Sequence, residues 1–287
     1  VGFDLKKKRI DQLKKRIDIN NEINLKKTKC FFTHKKKFLK NCNIFIITVP
    51  TPVNSQNKPD LKLIKNATNL VAKYLKKKSI VVFESTVFPG TTLNICKPLL
   101  EKVSNLKFNT DFFCGYSPER INPGDRKNQL TNIKKIVSGS NKFSLNVIDK
   151  IYKSIIKAGT FRCETIEVAE SAKIIENIQR DVNVALMNEL QIVFDKLNID
   201  FEKILQAART KWNFLNFYPG LVGGHCIGVD PYYLSYLANK NKLKTKIINL
   251  SRKINNSMSE YHANIISSEL KRRKLKKILI LGFAFKE

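Results

Sequence analysis

Apolar residues in the first half of the chain occur in short β-branched runs that alternate with longer stretches of helical periodicity. The runs Ile44–Val49 and Ser79–Glu84 are typical of buried strands, because each is mostly apolar and leads into a loop. The stretches Lys7–Arg16 and Leu61–Leu75 repeat apolar positions every three or four residues and predict helices. This alternation predicts an α/β fold of Rossmann-like type, with a parallel sheet that binds ligands at the ends of its strands.

Shorter segments extend the pattern. Val1–Asp4 is typical of the end of a strand, and the loop Ser85–Gly90 leads into a predicted helix at Thr91–Val103. Two further short strands are predicted at Phe112–Gly115 and Ile136–Gly139. The first half therefore supplies strands and helices in the order that a doubly wound sheet requires.

The pattern changes after Thr165. Ile166–Leu197 contains no Gly or Pro and predicts one long helix. A glycine-rich segment, Pro219–Pro231, interrupts a helical region that resumes over Tyr232–Arg273. Lys277–Phe283 then predicts a strand, so a helical middle region precedes the start of a second α/β unit.

Composition narrows the class of protein. The 287 residues are 43% hydrophobic, which is enough for a substantial core. The net charge of +29 and the isoelectric point near 9.9 raise the question of a polyanionic partner. The lysines are dispersed in short runs at expected helix ends, so we interpret them as solvated faces and expect neither a nucleic-acid partner nor a membrane partner.

The cysteines argue for a reducing compartment. The six cysteines include no C-x-x-C pair, and the chain has three histidines, so no spacing predicts a metal site. No apolar run approaches the roughly 20 residues of a membrane span. We therefore expect a cytoplasmic protein.

The glycine-rich segment carries the most informative chemistry. Between Gly220 and Pro231, four glycines surround Cys226, which follows His225 and precedes Asp230 by four residues. Glycines let a backbone approach a ligand closely, so a catalytic thiol is one interpretation. The alternative is a buried structural cysteine in a turn, and Asp230 could equally set the turn before Pro231.

The segment resembles the catalytic loop of the UDP-glucose/GDP-mannose dehydrogenase family, the nucleotide-sugar 6-dehydrogenases. Its form Gly-Gly-His-Cys-Ile-Gly-Val-Asp-Pro-Tyr-Tyr is similar to members that oxidise UDP-N-acetylhexosamines. Other matching motifs follow in the family's order at Thr48–Pro52, Glu84–Gly90 and Gly282–Lys286. The resemblance covers nearly the whole chain and identifies it as a member of this family.

The resemblance implies an NAD-dependent, four-electron oxidation of the sugar C6 alcohol to a carboxylate in polysaccharide biosynthesis. Cys226 would add to the aldehyde, and the resulting thiohemiacetal would be oxidised to a thioester that water cleaves. Asp230 would position or deprotonate that water. UDP-N-acetylglucosamine or its galacto epimer is the expected substrate, and UDP-glucose is the alternative.

The resemblance assigns further catalytic roles. Lys173 and Asn177 lie four residues apart on the predicted long helix and share one face, where they would stabilise negative charge on the C6 oxygen. Glu119 would act as a general base and Thr86 would position water or substrate. From the residues alone, a solvated lysine, a polar helix position and a Glu119–Arg120 ion pair remain alternatives.

Cofactor and substrate contacts follow from the same resemblance. Asp4 would accept hydrogen bonds from the adenosine ribose of NAD, and Arg9 would lie near the adenine or a phosphate unless it is simply solvated. The loops at Val49, Pro50, Thr51, Ser85 and Thr86 would line the dinucleotide cleft. The substrate-binding residues would be Glu119, Arg120, Lys173, Asn177, Arg209, Phe217, Tyr218, Gly220, Gly223 and Lys286.

These assignments predict three domains: an NAD-binding domain at 1–158, a central helical domain at 159–258 and the start of a UDP-binding domain at 259–287. The long helix at 166–197 would form a homodimer. The sequence starts three residues before Asp4 and so lacks the glycine-rich phosphate turn expected about 20 residues earlier. We expect this piece alone to bind NAD poorly, and a truncated remnant that serves as a dimerising or polyanion-binding module is the alternative from another class.

Overall fold

The computed structural model describes residues 1–19, 24–121, 128–224 and 227–281. Two compact units are present, the first made of Val1–Thr51 and Leu61–Lys173, the second of Pro52–Asp60 and Ile174–Glu287. The predictions for Cys226 and Lys286 fall outside the described residues, so both stay predictions.

The first unit contains a five-stranded sheet in sequence order, β3-β4-β5-β6-β7. Its strands β3 to β5 are parallel, β6 is antiparallel to β5, and β7 is parallel to β6. The antiparallel pair differs from the wholly parallel sheet that we predicted. A parallel pair needs a long crossover connection, usually a helix, whereas no α-helix separates β5 from β6 in the described part of that connection. The strands are β3 Ile44–Ile47, β4 Ser79–Phe83, β5 Phe112–Tyr116, β6 Lys135–Gly139 and β7 Thr160–Arg162.

Four helices and a two-stranded parallel sheet complete the first unit as far as it is described. The small sheet pairs β1 with β2, and the helix α3 follows a π-helical turn at Thr92–Cys96. The pattern predicted β1, α1, α2 and α3 within a few residues, but it predicted neither β2 nor α4. These elements are β1 Gly2–Phe3, β2 Phe32–Thr33, α1 Lys7–Lys14, α2 Lys62–Ala72, α3 Lys97–Ser104 and α4 Lys142–Lys153.

Strand β4 lies in the core of this unit, and all five of its residues are buried. Val81 and Phe83 point into one apolar cluster, while Ile80 and Val82 join a different cluster that includes Ile148 of α4. Successive side chains of a strand point to opposite faces. The unbroken apolar run at β4 therefore reflects a sheet that is covered on both faces.

The regular structure described in the second unit is mainly helical. Its long helix α5 spans Ile166–Lys196 and starts within the first unit, which confirms the predicted helix. It is followed by α6 Phe201–Ala208, α7 Asp230–Lys240 and α8 Lys246–Arg272. The predicted strand at Lys277–Phe283 is not seen in its described part, 277–281, where no neighbouring segment pairs with it. None of the described helices has the length and apolar character to cross a membrane.

Candidate functional site

Two loops at the carboxyl ends of β3 and β4 are tied to each other. Thr51 Oγ1 donates a hydrogen bond to the carbonyl oxygen of Thr86 at 2.6 Å, and Ser85 Oγ donates to that of Val49 at 2.6 Å. Parallel strands place their carboxyl ends at one edge of a sheet, where dinucleotides bind in such folds. The predicted cofactor loops are thus brought together, and their reciprocal bonds hold the backbone against which a nicotinamide cofactor would fit.

The acidic residue predicted to bind ribose lies directly after β1. Asp4 Oδ1 accepts a hydrogen bond from the backbone N–H of Lys6 at 2.7 Å, which fixes the carboxylate at the start of α1. Arg9 instead forms an ion pair with Asp18, with 3.0 Å between Nη2 and Oδ1. The position of Asp4 fits a ribose contact, whereas Arg9 is engaged within the protein.

Glu119 belongs to a charged cluster that the sequence did not indicate. Its Oε1 accepts hydrogen bonds from the backbone N–H groups of Arg120 and Ile121, at 2.7 and 2.8 Å. Its Oε2 lies 3.6 Å from Nζ of Lys135, which is buried at the start of β6. Arg120 Nη1 donates to the carbonyl oxygen of Lys134. Glu119 is thus held by two backbone N–H groups and Lys135 and not by the Arg120 side chain.

The same lysine pairs with a second carboxylate. Lys135 Nζ lies 3.6 Å from Glu84 Oε2 and 5.3 Å from the centre of the Tyr152 ring, and the Tyr152 hydroxyl donates to Glu84. Burial and the adjacent carboxylate raise the pKa of Tyr152, so it stays protonated. A lysine directly before the apolar pair Ile136–Val137 is the available signal for this cluster, and the prediction that the lysines form solvated faces is wrong for Lys135.

Glu170 on α5 fixes the loop that follows Thr86. Its carboxylate is fully buried and accepts hydrogen bonds from the backbone N–H of Gly90 at 2.6 Å and of Thr92 at 2.9 Å. The Thr92 hydroxyl donates a third at 2.7 Å. Burial raises the pKa of Glu170 to about 7, against the lowering effect of these bonds.

The predicted oxyanion residues both lie on α5. Lys173 is buried and ends the first unit, and Asn177 follows one helical turn later. In the second unit the Asn177 amide donates to the carboxylate of Asp230, which is buried as the first residue of α7. Two side chains predicted for the site, 53 residues apart in sequence, are thus in contact.

The predicted substrate segment forms a second group within the same unit. The Arg209 guanidinium lies 4.1 Å from the centre of the Tyr218 ring, and its Nη1 is 3.3 Å from Glu202. Phe217 packs against the cluster of Met187, Phe201 and Leu205. Gly220 is hydrogen-bonded through its backbone to the Asn188 side chain, and Gly223 is exposed.

Three of the described cysteines differ in environment from a reactive thiol. Cys96 and Cys114 are fully buried, and burial raises the pKa of the Cys96 thiol to about 12 and that of Cys114 further. Burial also raises the pKa of Cys163. Because the thiolate is the nucleophile, these three thiols are inert.

Comparison with known proteins identifies the family. Residues 1–156 match the NAD binding domain of the UDP-glucose/GDP-mannose dehydrogenase family, and residues 167–257 match its central domain. These two matches together cover most of the chain. The protein belongs to this family of NAD-dependent nucleotide-sugar dehydrogenases, which confirms the resemblance, the fold class and the cofactor.

Two similar sequences and one similar structure carry the names of nucleotide-sugar dehydrogenases. The chain is 50% identical to UDP-N-acetyl-D-glucosamine 6-dehydrogenase of Salmonella typhi, with 100% of this chain and 69% of that protein covered. It is 46% identical to the enzyme of the same name from Pseudomonas aeruginosa, over 100% of this chain and 70% of the relative. The UDP-D-ManNAc dehydrogenase structure from Pyrococcus horikoshii superposes with a TM-score of 0.88 at 31% identity, covering 96% of this chain and 66% of that one. The chain thus spans about two thirds of each relative.

Proposed function

We propose that the full-length protein oxidises the C6 alcohol of a UDP-N-acetylhexosamine to the carboxylate in two NAD-dependent steps. The observation that carries the proposal is the contact between Asn177 and Asp230. It joins a predicted oxyanion residue to the aspartate that follows Cys226 by four positions. The two closely related sequences named UDP-N-acetyl-D-glucosamine 6-dehydrogenase support the same chemistry.

In the first oxidation, the loops after β3 and β4 would hold NAD, which would supply the hydride acceptor for C6. As the C6 hydroxyl loses its proton and C6 its hydride, the protein must stabilise negative charge on the C6 oxygen. Lys173 and Asn177, one helical turn apart on α5, would donate hydrogen bonds to this oxygen. A buried ammonium is effective in this role because little water competes with it.

In the second half of the reaction, the Cys226 thiolate would attack the aldehyde carbon and hold the sugar as a thiohemiacetal. Oxidation of this carbon by a second NAD would give a thioester, which water would cleave to the carboxylate and the free Cys226 thiol. Glu119 would accept a proton from that water, with Lys135 beside it, and Asp230 would orient the attack. Covalent capture prevents the reactive aldehyde from leaving.

The sugar is proposed from the relatives. Identity to the UDP-N-acetyl-D-glucosamine 6-dehydrogenase of Salmonella typhi is 50%, compared with 33% to the UDP-N-acetyl-D-mannosamine dehydrogenase of Pyrococcus horikoshii. UDP-N-acetylglucosamine is therefore our first choice, and its galacto epimer and UDP-glucose are the alternatives. The same chemistry would oxidise all three, which differ in the C2 substituent or in the configuration at C4.

The experiment is a substrate comparison on the full-length protein. NADH formation should be followed at 340 nm with UDP-N-acetylglucosamine, UDP-N-acetylgalactosamine, UDP-N-acetylmannosamine and UDP-glucose. We expect two NADH per sugar consumed and the highest kcat/KM for UDP-N-acetylglucosamine. One NADH per sugar would contradict the two-step mechanism, and a preference for UDP-glucose would contradict the substrate choice.

We also propose that α5 forms a homodimer. Three of its apolar side chains are 45% to 58% exposed within the single chain: Ile175, Leu186 and Val193. At 100° per residue they lie within about 20° of one another around the helix, so they form one stripe. A contiguous apolar stripe on a helix indicates a protein partner, and a second copy would cover it.

Leu186→Asp tests this dimer. A carboxylate in the middle of the stripe would have to be buried without a partner, so we expect the mass of the full-length protein in multi-angle light scattering to halve. Arg180→Asp, on a different face of α5 and exposed, is the matched control. An unchanged mass for Leu186→Asp would rule out this interface.

A further inference from the structure

A chain of buried polar side chains connects α8 and α5 to the start of the glycine-rich segment. Its members are Asp181 and Asn188 on α5 and Arg252 and Asn255 on α8, and each is at most 5% exposed. Arg252 Nη1 donates to Asp181 Oδ1 at 2.5 Å. Burying an ion pair yields little net stability compared with an apolar packing of the same volume. These residues are therefore better explained by the orientation that they impose on the neighbouring backbone at Gly220.

In this network of side chains each amide donates toward Asp181: Asn188 donates to Asn255, and Asn255 donates to Asp181. Ionised Asp181 can only accept, so it receives the Asn255 amide N–H through Oδ1 at 2.8 Å and through its backbone carbonyl at 3.0 Å. Asn255 must therefore turn its amide oxygen the other way. That oxygen accepts from Asn188 Nδ2 at 2.8 Å.

Asn188 is hydrogen-bonded in turn to the backbone of Gly220. Its second amide hydrogen is donated to the Gly220 carbonyl at 3.0 Å, and its oxygen accepts from the Gly220 N–H at 2.7 Å. Both amide hydrogens and the oxygen are used, and the opposite orientation of the amide would break all three bonds. Asn188 thus binds both polar groups of one loop residue.

The other end of the segment lies near the same ion pair. A Cβ added to Gly228 would lie 3.9 Å from Arg252 Nη2 and 3.6 Å from the Gly224 carbonyl oxygen. The Arg252 guanidinium also lies 5.7 Å from the centre of the Tyr232 ring on α7. Residues on both sides of Cys226 in the sequence therefore lie close to one buried network.

We propose that Asp181, Asn255, Asn188 and Arg252 are positioning residues for the catalytic segment. The Asp181 carboxylate fixes the orientation of two asparagine amides in turn, the second of which binds Gly220, and Arg252 lies beside the segment near Gly228. The inference rests on the proposed function, because it assigns these residues to the reaction of Cys226. It adds residues that the family resemblance did not indicate.

The test uses two variants of the full-length protein. Asp181→Asn retains the volume but can donate, so the amide chain loses its fixed direction, and Asn188→Ala removes the bonds to Gly220. We expect kcat to fall by about 100-fold, the usual consequence of misplacing a reacting group by about 1 Å. KM for NAD should not change, because the predicted cofactor residues lie in the other unit.

Two control variants remove comparable bonds elsewhere. Asn183→Ala breaks a bond from a half-buried asparagine on the same helix to Gln179, and Ser235→Ala breaks a partly buried bond between α7 and Asn249 of α8. Both should retain wild-type kcat. Arg252→Lys keeps the positive charge without the planar guanidinium, so its kcat should fall less than that of Asn188→Ala. This milder variant can be measured even if a more disruptive one fails to fold.

A second measurement needs no dehydrogenase activity. The rate at which iodoacetamide modifies Cys226, followed by peptide mass spectrometry, should change in Asp181→Asn and Asn188→Ala but not in either control. Equal alkylation rates in all variants, or a loss of kcat no greater than the loss of folded protein by circular dichroism, would overturn the proposal. If the wild-type protein oxidises no UDP-sugar, the proposed function fails, while the alkylation rates still decide whether the network positions the segment.

Discussion

Replacing Cys226 with serine in the full-length protein should lower steady-state NADH formation by roughly 1000-fold or more, a loss typical of removing a covalent nucleophile. A serine hydroxyl is far less ionised than a thiol and adds poorly to the aldehyde. Any acyl group that it does accept forms an ester, which water cleaves more slowly than a thioester. Intact-mass spectrometry of the variant after incubation with NAD and substrate should therefore show a sugar acid attached to the protein.

Cys30→Ser is the matched control, since Cys30 is a partly exposed free cysteine in the first unit. It should retain wild-type turnover. Wild-type turnover in Cys226→Ser would eliminate covalent catalysis at this position, and loss of activity in both variants would indicate a general effect of removing a thiol.

Stability should decline as the pH rises from about 4.5 to 7, because of Glu170. Burial raises the pKa of this carboxyl from its ordinary 4.5 to about 7. Below pH 4.5 the group is protonated in the folded and the unfolded chain. Between the two values the unfolded chain ionises first, so the unfolding free energy falls by up to about 3 kcal/mol and levels off above pH 7.

The slope against pH isolates this effect. Urea unfolding of wild type and Glu170→Gln at intervals from pH 4.5 to 8 should give a difference that changes by about 2 to 3 kcal/mol across the range. The glutamine side chain of this variant loses one hydrogen bond to the loop at Gly90 and Thr92, but that loss does not vary with pH. Glu164→Gln, an exposed neighbour, is the control, and parallel curves for wild type and Glu170→Gln would show that Glu170 does not take up a proton on folding.

Much of the fold could be predicted because its signals are local. The apolar run of β4 and the absence of Gly and Pro from α5 depend on neighbouring residues alone, and both elements occur where they were expected. The two-residue strand β2 and the antiparallel pairing of β6 could not be predicted, because they depend on which strands meet. A strand also needs a neighbouring strand, and the predicted strand at Lys277–Phe283 pairs with no segment in its described part, 277–281.

The site was predictable only through its motifs. Composition alone predicts Asn177 only as a polar helix position. The family resemblance predicts it as a site residue, and in the structure it contacts Asp230, another predicted site residue. Lys135 and Asn188 carry no such motif. Their partners are remote in sequence: Lys135 lies 51 residues beyond Glu84, and Asn188 precedes Gly220 by 32. Buried polar networks of this kind are defined by tertiary packing, which periodicity does not report.

The exposed stripe on α5 has a geometric consequence for any helix that covers it. Ile175 and Val193 are 18 residues apart, which is five whole turns at 3.6 residues per turn. The stripe therefore runs parallel to the helix axis for about 27 Å, without the drift that a seven-residue repeat produces. A straight helix can follow it without winding into a supercoil.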